Sequence, residues 1–237
     1  MTANGMITDL RTAGQHVGSG AAAGFVAGLL IGGVGGRLAM FVLRLTSGDV
    51  VHGVQSDDDF EMGQFTSSTV FLLGATAILG AFCGVLFVGV RPFIARSHRL
   101  WASSLMFGLV GGALVIEPGG VDFTLVEPHA LAVALFIAIP AVFGLALAAM
   151  TERFVAHAPD RNWWLLGLLP VVLLPLTGVS GLAVLLVLVV GWLVGRYFGT
   201  LRALPSRFPA VVTVRVGLVG VGGWAAFSLA RDVAEIL

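Results

Sequence analysis

Apolar runs of bilayer length recur along almost the whole chain, and no other feature restricts its fold as much. They fall at 19–45, 67–90, 100–116, 129–150, 163–176, 182–199 and 208–230. About 20 apolar residues carry a helix across a hydrocarbon core about 30 Å thick. A backbone amide in lipid finds no water, so such a run must satisfy its own hydrogen bonds as a helix. The expected fold is therefore all-α: a polytopic integral membrane bundle of about seven helices, forming one transmembrane domain over 1–237. Only 11% of the 237 residues are charged, against about 25% in a soluble domain. The run at 163–176 is the weakest, because about 14 residues rise only about 21 Å and it carries Pro170 and Pro175. It is expected to span or to re-enter.

Charge separates the two ends of these helices. The N-terminus and the loops 91–99, 151–162 and 196–207 share one side, which collects Arg11, Arg91, Arg96, Arg99, Arg153, Arg161, Arg196, Arg202 and Arg207. The other side holds 46–66, 117–128 and the C-terminus. It has only Arg44 and Arg231 near it, and it gathers Asp49, Asp57, Asp58, Asp59, Glu61, Glu117, Asp122, Glu127, Asp232 and Glu235. Arginine-rich loops stay in the cytoplasm, which predicts the N-terminus inside and the C-terminus outside. The first apolar run exceeds the roughly 7–15 residues of a signal-peptide core and closes on no small-x-small cleavage site. It is expected to be retained as the first helix.

That first helix carries an unusual pattern of its own. Gly20, Gly24, Gly28, Gly32 and Gly36 recur at every fourth position of GAAAGFVAGLLIGGVGGR, and Arg37 closes the stretch. Residues four apart share a helix face. In lipid no hydrophobic force pulls helices together, and a ridge of small residues lets their backbones approach instead. Gly80/Gly84, Gly108/Gly112, Gly191/Gly195/Gly199 and the glycines at 217, 220, 222 and 223 repeat the device. Tight packing within the chain is the first expectation; oligomerisation through helix 1 or helix 7 is the second. At 100° per residue the ladder sweeps a stripe about 160° wide, with Arg37 roughly opposite its centre and Arg44 pointing nearly the same way as Arg37. Helix 1 is thus expected to be central, with a packing face and a separate charged face.

Arg37 is the sharpest candidate for chemistry. It lies about eight residues, or about 12 Å, inside the outer end of helix 1. A charge at the centre of a membrane helix costs about 2.5–3.5 kcal/mol even on the lenient insertion scale, so Arg37 should face protein or water. No helix interior offers it a carboxylate. The nearest by depth are Glu117, Asp122 and Glu127 in EPGGVDFTLVEPH, a segment expected to fold back as a plug in the outer mouth, its ends fixed by Pro118 and Pro128. Two roles fit. One is a bidentate arginine–carboxylate clasp that locks the fold; the other is an outward-facing polar cavity in which Arg37 and Arg44 bind an anionic or zwitterionic group.

Other motifs carry less. The acidic stretch SDDDFEMG lacks the ligand spacing of an EF-hand. Asp57, Asp58, Asp59 and Glu61, with His52, would hold Ca²⁺ only weakly, and a solvated acidic loop is the plainer reading. All 13 basic residues are arginine, which excludes lysine Schiff-base and P-loop chemistry. The sequence has no HExxH, no GxSxG and no paired Cys or His at zinc spacing, and its single Cys83 excludes an intrachain disulfide. No cofactor, no catalytic residue and no nucleic-acid partner are expected. Membrane lipid should surround the chain, with a second copy or a partner membrane protein on its glycine faces.

The runs GGRLAM, then SDDDFEMG with Phe65-Thr66 following, then GGVDFTLVEP ahead of ALFIAIPAVFG resemble a group of uncharacterised multi-pass membrane proteins of high-GC Gram-positive (actinobacterial) bacteria. The resemblance covers roughly 30–155. It implies a bacterial plasma membrane and no assigned activity, so no functional residue carries over from it. The leading functional expectation is small-solute binding or permeation through an outward-facing polar cavity at Arg37. One alternative is a non-catalytic membrane-complex subunit or scaffold that packs partners through glycine-rich faces. A second is a lipid-acting enzyme at the outer leaflet, for which acidic loops and a histidine would supply acid–base groups.

Overall fold

A computed structural model describes residues 3–47, 67–124, 127–158, 162, 165, 167 and 208–237. Its elements are α1 (Ala3–Ala27), a π-helical segment (Gly28–Gly35), α2 (Gly36–Thr46), α3 (Ser67–Val90), α4 (Arg99–Val115), α5 (Val121–Thr124), α6 (His129–His157) and α7 (Phe208–Ile236). Two 3-10 turns, Arg91–Phe93 and Arg96–His98, link α3 to α4. Among the described residues there is no strand. Also among the described residues, four helices are long and apolar enough to cross a membrane: Thr12–Thr46, Thr69–Phe93, His129–His157 and Val211–Ile236. At 17 residues, α4 rises about 26 Å, the short end of what spans a bilayer. The expected helices at 163–176 and 182–199 lie outside the described residues, apart from Leu165 and Gly167.

Helix ends follow the breakers rather than the apolar boundaries. The expected run at 129–150 continues to His157 because Thr151, Glu152 and Arg153 are no obstacle to a helix, and the first breaker is Pro159. Similarly α1 starts at Ala3 and α7 reaches Ile236, both beyond their apolar stretches.

Two glycine-lined seams hold the bundle together. In the first, α1 and α3 run antiparallel with their backbones in contact. A β-carbon on Gly24 would overlap the carbonyl oxygen of Gly80, one on Gly80 would overlap that of Gly24, and one on Gly84 would overlap that of Gly20. Gly28 presses on the carbonyl of Thr76 in the same way. In the second seam, between α4 and α6, a β-carbon on Gly111 would stand 2.5 Å from Cβ of Pro140, and one on Gly144 2.5 Å from the carbonyl oxygen of Ser103. Between the seams, Ala23 and Ala27 of α1 pack with Phe143, Leu147 and Ala148 of α6 and Phe87 of α3. Gly167 also touches α1, since its β-carbon would overlap the carbonyl of Gly18. Helix α1 thus has neighbours on several sides.

One turn further along the α1–α6 seam lie Ser19 and Thr151, both fully buried. Neither hydroxyl has a hydrogen-bond partner among the described residues. A buried hydroxyl without a partner normally costs about 1–3 kcal/mol.

The π-helical segment corrects the regular angular reading of helix 1. Its hydrogen bonds span five residues instead of four, so one extra residue is accommodated between Gly28 and Gly35 and the ladder slips by one position. Gly33, which is buried, joins Gly32 in the contact with α3: a β-carbon on Gly32 would meet Thr76 Cβ at 3.2 Å, and one on Gly33 would meet Leu73 Cδ2 at 2.6 Å and Thr76 Oγ1 at 3.0 Å. A β-carbon on Gly36, the expected last rung, would meet nothing within 4 Å. Arg37 stands one turn beyond Gly33, so it continues the ladder face rather than opposing it. The adjacent positions agree, for Val34 and Leu38 are both exposed.

Candidate functional site

The α1–α3 register fixes the depth of Arg37. Gly20 lies against Gly84, Gly24 against Gly80, Gly28 against Thr76 and Gly33 against Leu73. Arg37 follows one turn after Gly33. The Nε and Nη2 atoms of Arg37 are themselves shielded from solvent. A guanidinium therefore sits inside the longest apolar span, two of its nitrogens shielded, directly after the irregular turn. Arg44, two turns on, is half-buried.

The carboxylates expected near Arg37 are disposed differently. Glu117 and Glu127 are both exposed, and among the described residues neither forms an ion pair with Arg37 or Arg44. Asp122 lies in α5, with its side chain outside the described ones. Asp57, Asp58, Asp59, Glu61 and His52 all lie outside the described residues. What Glu127 supplies is backbone: its N–H donates to Ser47 Oγ at 3.0 Å, and its carbonyl accepts from Ser47 Oγ at 2.9 Å. This exchange ties the last turn of α2 to the start of α6. Of the segment 117–128, the described residue that turns inward is an aromatic one. Phe123 is buried with Leu43, Ile116, Ala132, Val133 and Leu229, and its ring stands 5.0 Å from that of Phe136. At the same end, Asp232 is buried and Ser228 Oγ donates to its Oδ2 at 3.3 Å.

The opposite end of the bundle carries an ionic cluster that the sequence reading missed. Glu152, near the end of α6, accepts from Arg91 Nε at 2.8 Å and from Arg99 Nη1 at 2.9 Å, all on one oxygen. Arg99 Nε also donates to the Ile94 carbonyl at 3.2 Å, and Arg215 Nε donates to the Phe93 carbonyl at 3.0 Å. The end of α3 and the starts of α4 and α7 are thereby gathered around the end of α6. Glu152 was legible as one acid, in TERF, on an arginine-rich side; the pairing was not. The chain matches no protein-family model, no curated protein and no solved structure.

Proposed function

We propose that the protein is a multi-pass protein of a bacterial plasma membrane that binds a small anionic or zwitterionic solute at Arg37 and conducts it through the bundle. The arginine-rich end, with Arg91, Arg96 and Arg99, faces the cytoplasm by the positive-inside rule, and the acidic end opens outward. Shielding of Arg37 Nε and Nη2 within the Thr12–Thr46 span is what supports the reading. Ionisable groups at that depth are expensive and mark solute or ion pathways by default. The π-helical segment next to it adds weight, since such irregular turns concentrate at functional sites. Arg44 gives the entering anion a second positive charge, and the exposed Glu117 and Glu127 stand at the same end of the chain's helices.

Uptake of a panel of radiolabelled small carboxylates and amino acids into cells, comparing wild type with Arg37→Ala and Arg37→Lys at matched expression, tests the proposal. Loss of uptake of one panel member in Arg37→Ala, with partial retention in Arg37→Lys, is expected. Uptake of every solute unchanged would sink it.

A second reading, a scaffold subunit that holds a partner helix, draws on α7. Gly217, Gly220 and Gly223 have nothing within 4 Å of a β-carbon among the described residues, and Val219 and Phe227 beside them are three-quarters exposed. The helix 1 ladder, by contrast, is occupied by α3 of the same chain.

A further inference from the structure

Four arginines gather where α3 gives way to α4, and among the described residues a single carboxylate pairs with two of them. Arg91 and Arg99 share one oxygen of Glu152. Arg215 is held against the Phe93 carbonyl, in the same turn as Arg91. Arg96, exposed in the following turn, lies close enough for its charge to act on Arg91. Each guanidinium offers five N–H donors in a fixed fork, and among the described residues Arg91, Arg99 and Arg215 use one or two each. Positive charge and donors are both in excess. The complement is an anion with several acceptor oxygens, and phosphate is the one that arginine forks fit best.

Depth identifies the carrier of that phosphate. The spans of α3 and α6 end at Phe93 and His157, so the cluster stands at headgroup level. Trp101, exposed in the first turn of α4 with the His98 ring edge-on 5.5 Å away, occupies the place of an interfacial aromatic anchor. Basic pockets between helices at this level take anionic headgroups. We propose that Arg91, Arg96, Arg99 and Arg215 bind the phosphodiester of an anionic phospholipid, with Glu152 holding the forks in position and Trp101 flanking the acyl boundary.

Native mass spectrometry of the detergent-purified chain, with phosphatidylglycerol, phosphatidylcholine and inorganic phosphate as probes, tests this. Phosphatidylglycerol should be retained in preference to phosphatidylcholine. Arg96→Gln breaks no bond among the described residues and should weaken that retention about five-fold, the effect of one arginine near an anionic surface. Glu152→Gln removes the carboxylate that Arg91 and Arg99 share, and should strengthen retention while lowering the melting temperature in lipid-free detergent; a purely structural clamp would lower both. The Arg96→Gln comparison stands even if Glu152→Gln does not fold. Equal retention of the two lipids, or wild-type retention by Arg96→Gln, overturns the proposal. So does complete displacement of phosphatidylglycerol by excess inorganic phosphate, which would assign the cluster to a soluble phosphate.

Discussion

Gly24 of α1 and Gly80 of α3 each fill the space in which the other's side chain would begin. Alanine at either position would place a methyl group on a backbone carbonyl, which cannot swing aside as a flexible side chain does. Overpacking of an ordinary core costs about 1–3 kcal/mol, and Gly24→Ala and Gly80→Ala should fall at the top of that range or above it. Gly36→Ala and Gly217→Ala would meet nothing within 4 Å among the described residues. They should be neutral or gain about 0.5–1 kcal/mol, alanine's advantage within a helix. Thermal unfolding of the four variants in detergent decides the matter. Equal melting temperatures would rule out the close α1–α3 contact.

Arg99 is the only described residue that joins the Ile94 carbonyl to Glu152, using two different nitrogens. A lysine has one ammonium and no fork, so Arg99→Lys should lose at least one charge-assisted hydrogen bond, about 1.5–3 kcal/mol. Arg96→Lys, on an exposed side chain, should leave the unfolding midpoint where it is. A loss of the same size at both positions would mean that charge alone, not the fork, holds α4 to α6.

Ser19 and Thr151 predict the opposite sign. Replacing a buried, unpartnered hydroxyl with an apolar group of similar shape removes a desolvation penalty, so Ser19→Ala and Thr151→Val should each stabilise the protein by roughly 1 kcal/mol. A drop in melting temperature for both would show that the two hydroxyls are hydrogen-bonded in the membrane-embedded protein, with water the natural bridge.

Phe123→Ala empties the space between Ile116, Leu229 and Phe136. In a core this change costs about 3–5 kcal/mol. It should loosen the 117–128 segment before it unfolds the bundle. Protease added to the acidic face of oriented vesicles should then cut between Glu117 and Glu127 faster than in wild type, and Phe123→Leu should restore most of the protection. Cleavage at the wild-type rate would mean that the Ser47–Glu127 exchange alone pins the segment.

The helices and the helix 1 side chains were not equally legible. Apolar run length located α3 and α4 to within a residue, because in lipid that length alone decides where a helix can cross. It underestimated α6, whose last two turns are polar yet free of breakers. Glycine spacing read correctly as far as Gly32, which still meets Thr76. Beyond it, the assumption of 100° per residue failed, because nothing in GLLIGGVG announces a five-residue hydrogen-bond step. Arg37 follows directly after that step, so its facing was not legible from uniform spacing. Glu152 escaped notice because a lone acid among arginines reads as noise until the fold brings the ends of α3 and α6 together. Phe123 was hidden by its acidic neighbours, which drew the reading toward charge when the buried contact is aromatic.

Chain length is unusually consequential in one place. Between Gly28 and Gly35 a single deletion would return helix 1 to uniform α geometry. Because the π turn already absorbs the extra residue, the residues on either side would keep their facing, and the arginine would fall on a rung of the four-residue glycine spacing. Converting the π turn to α geometry without the deletion would instead turn everything after it by about 100°. The irregular turn, and not the count of residues alone, therefore sets which way the guanidinium faces.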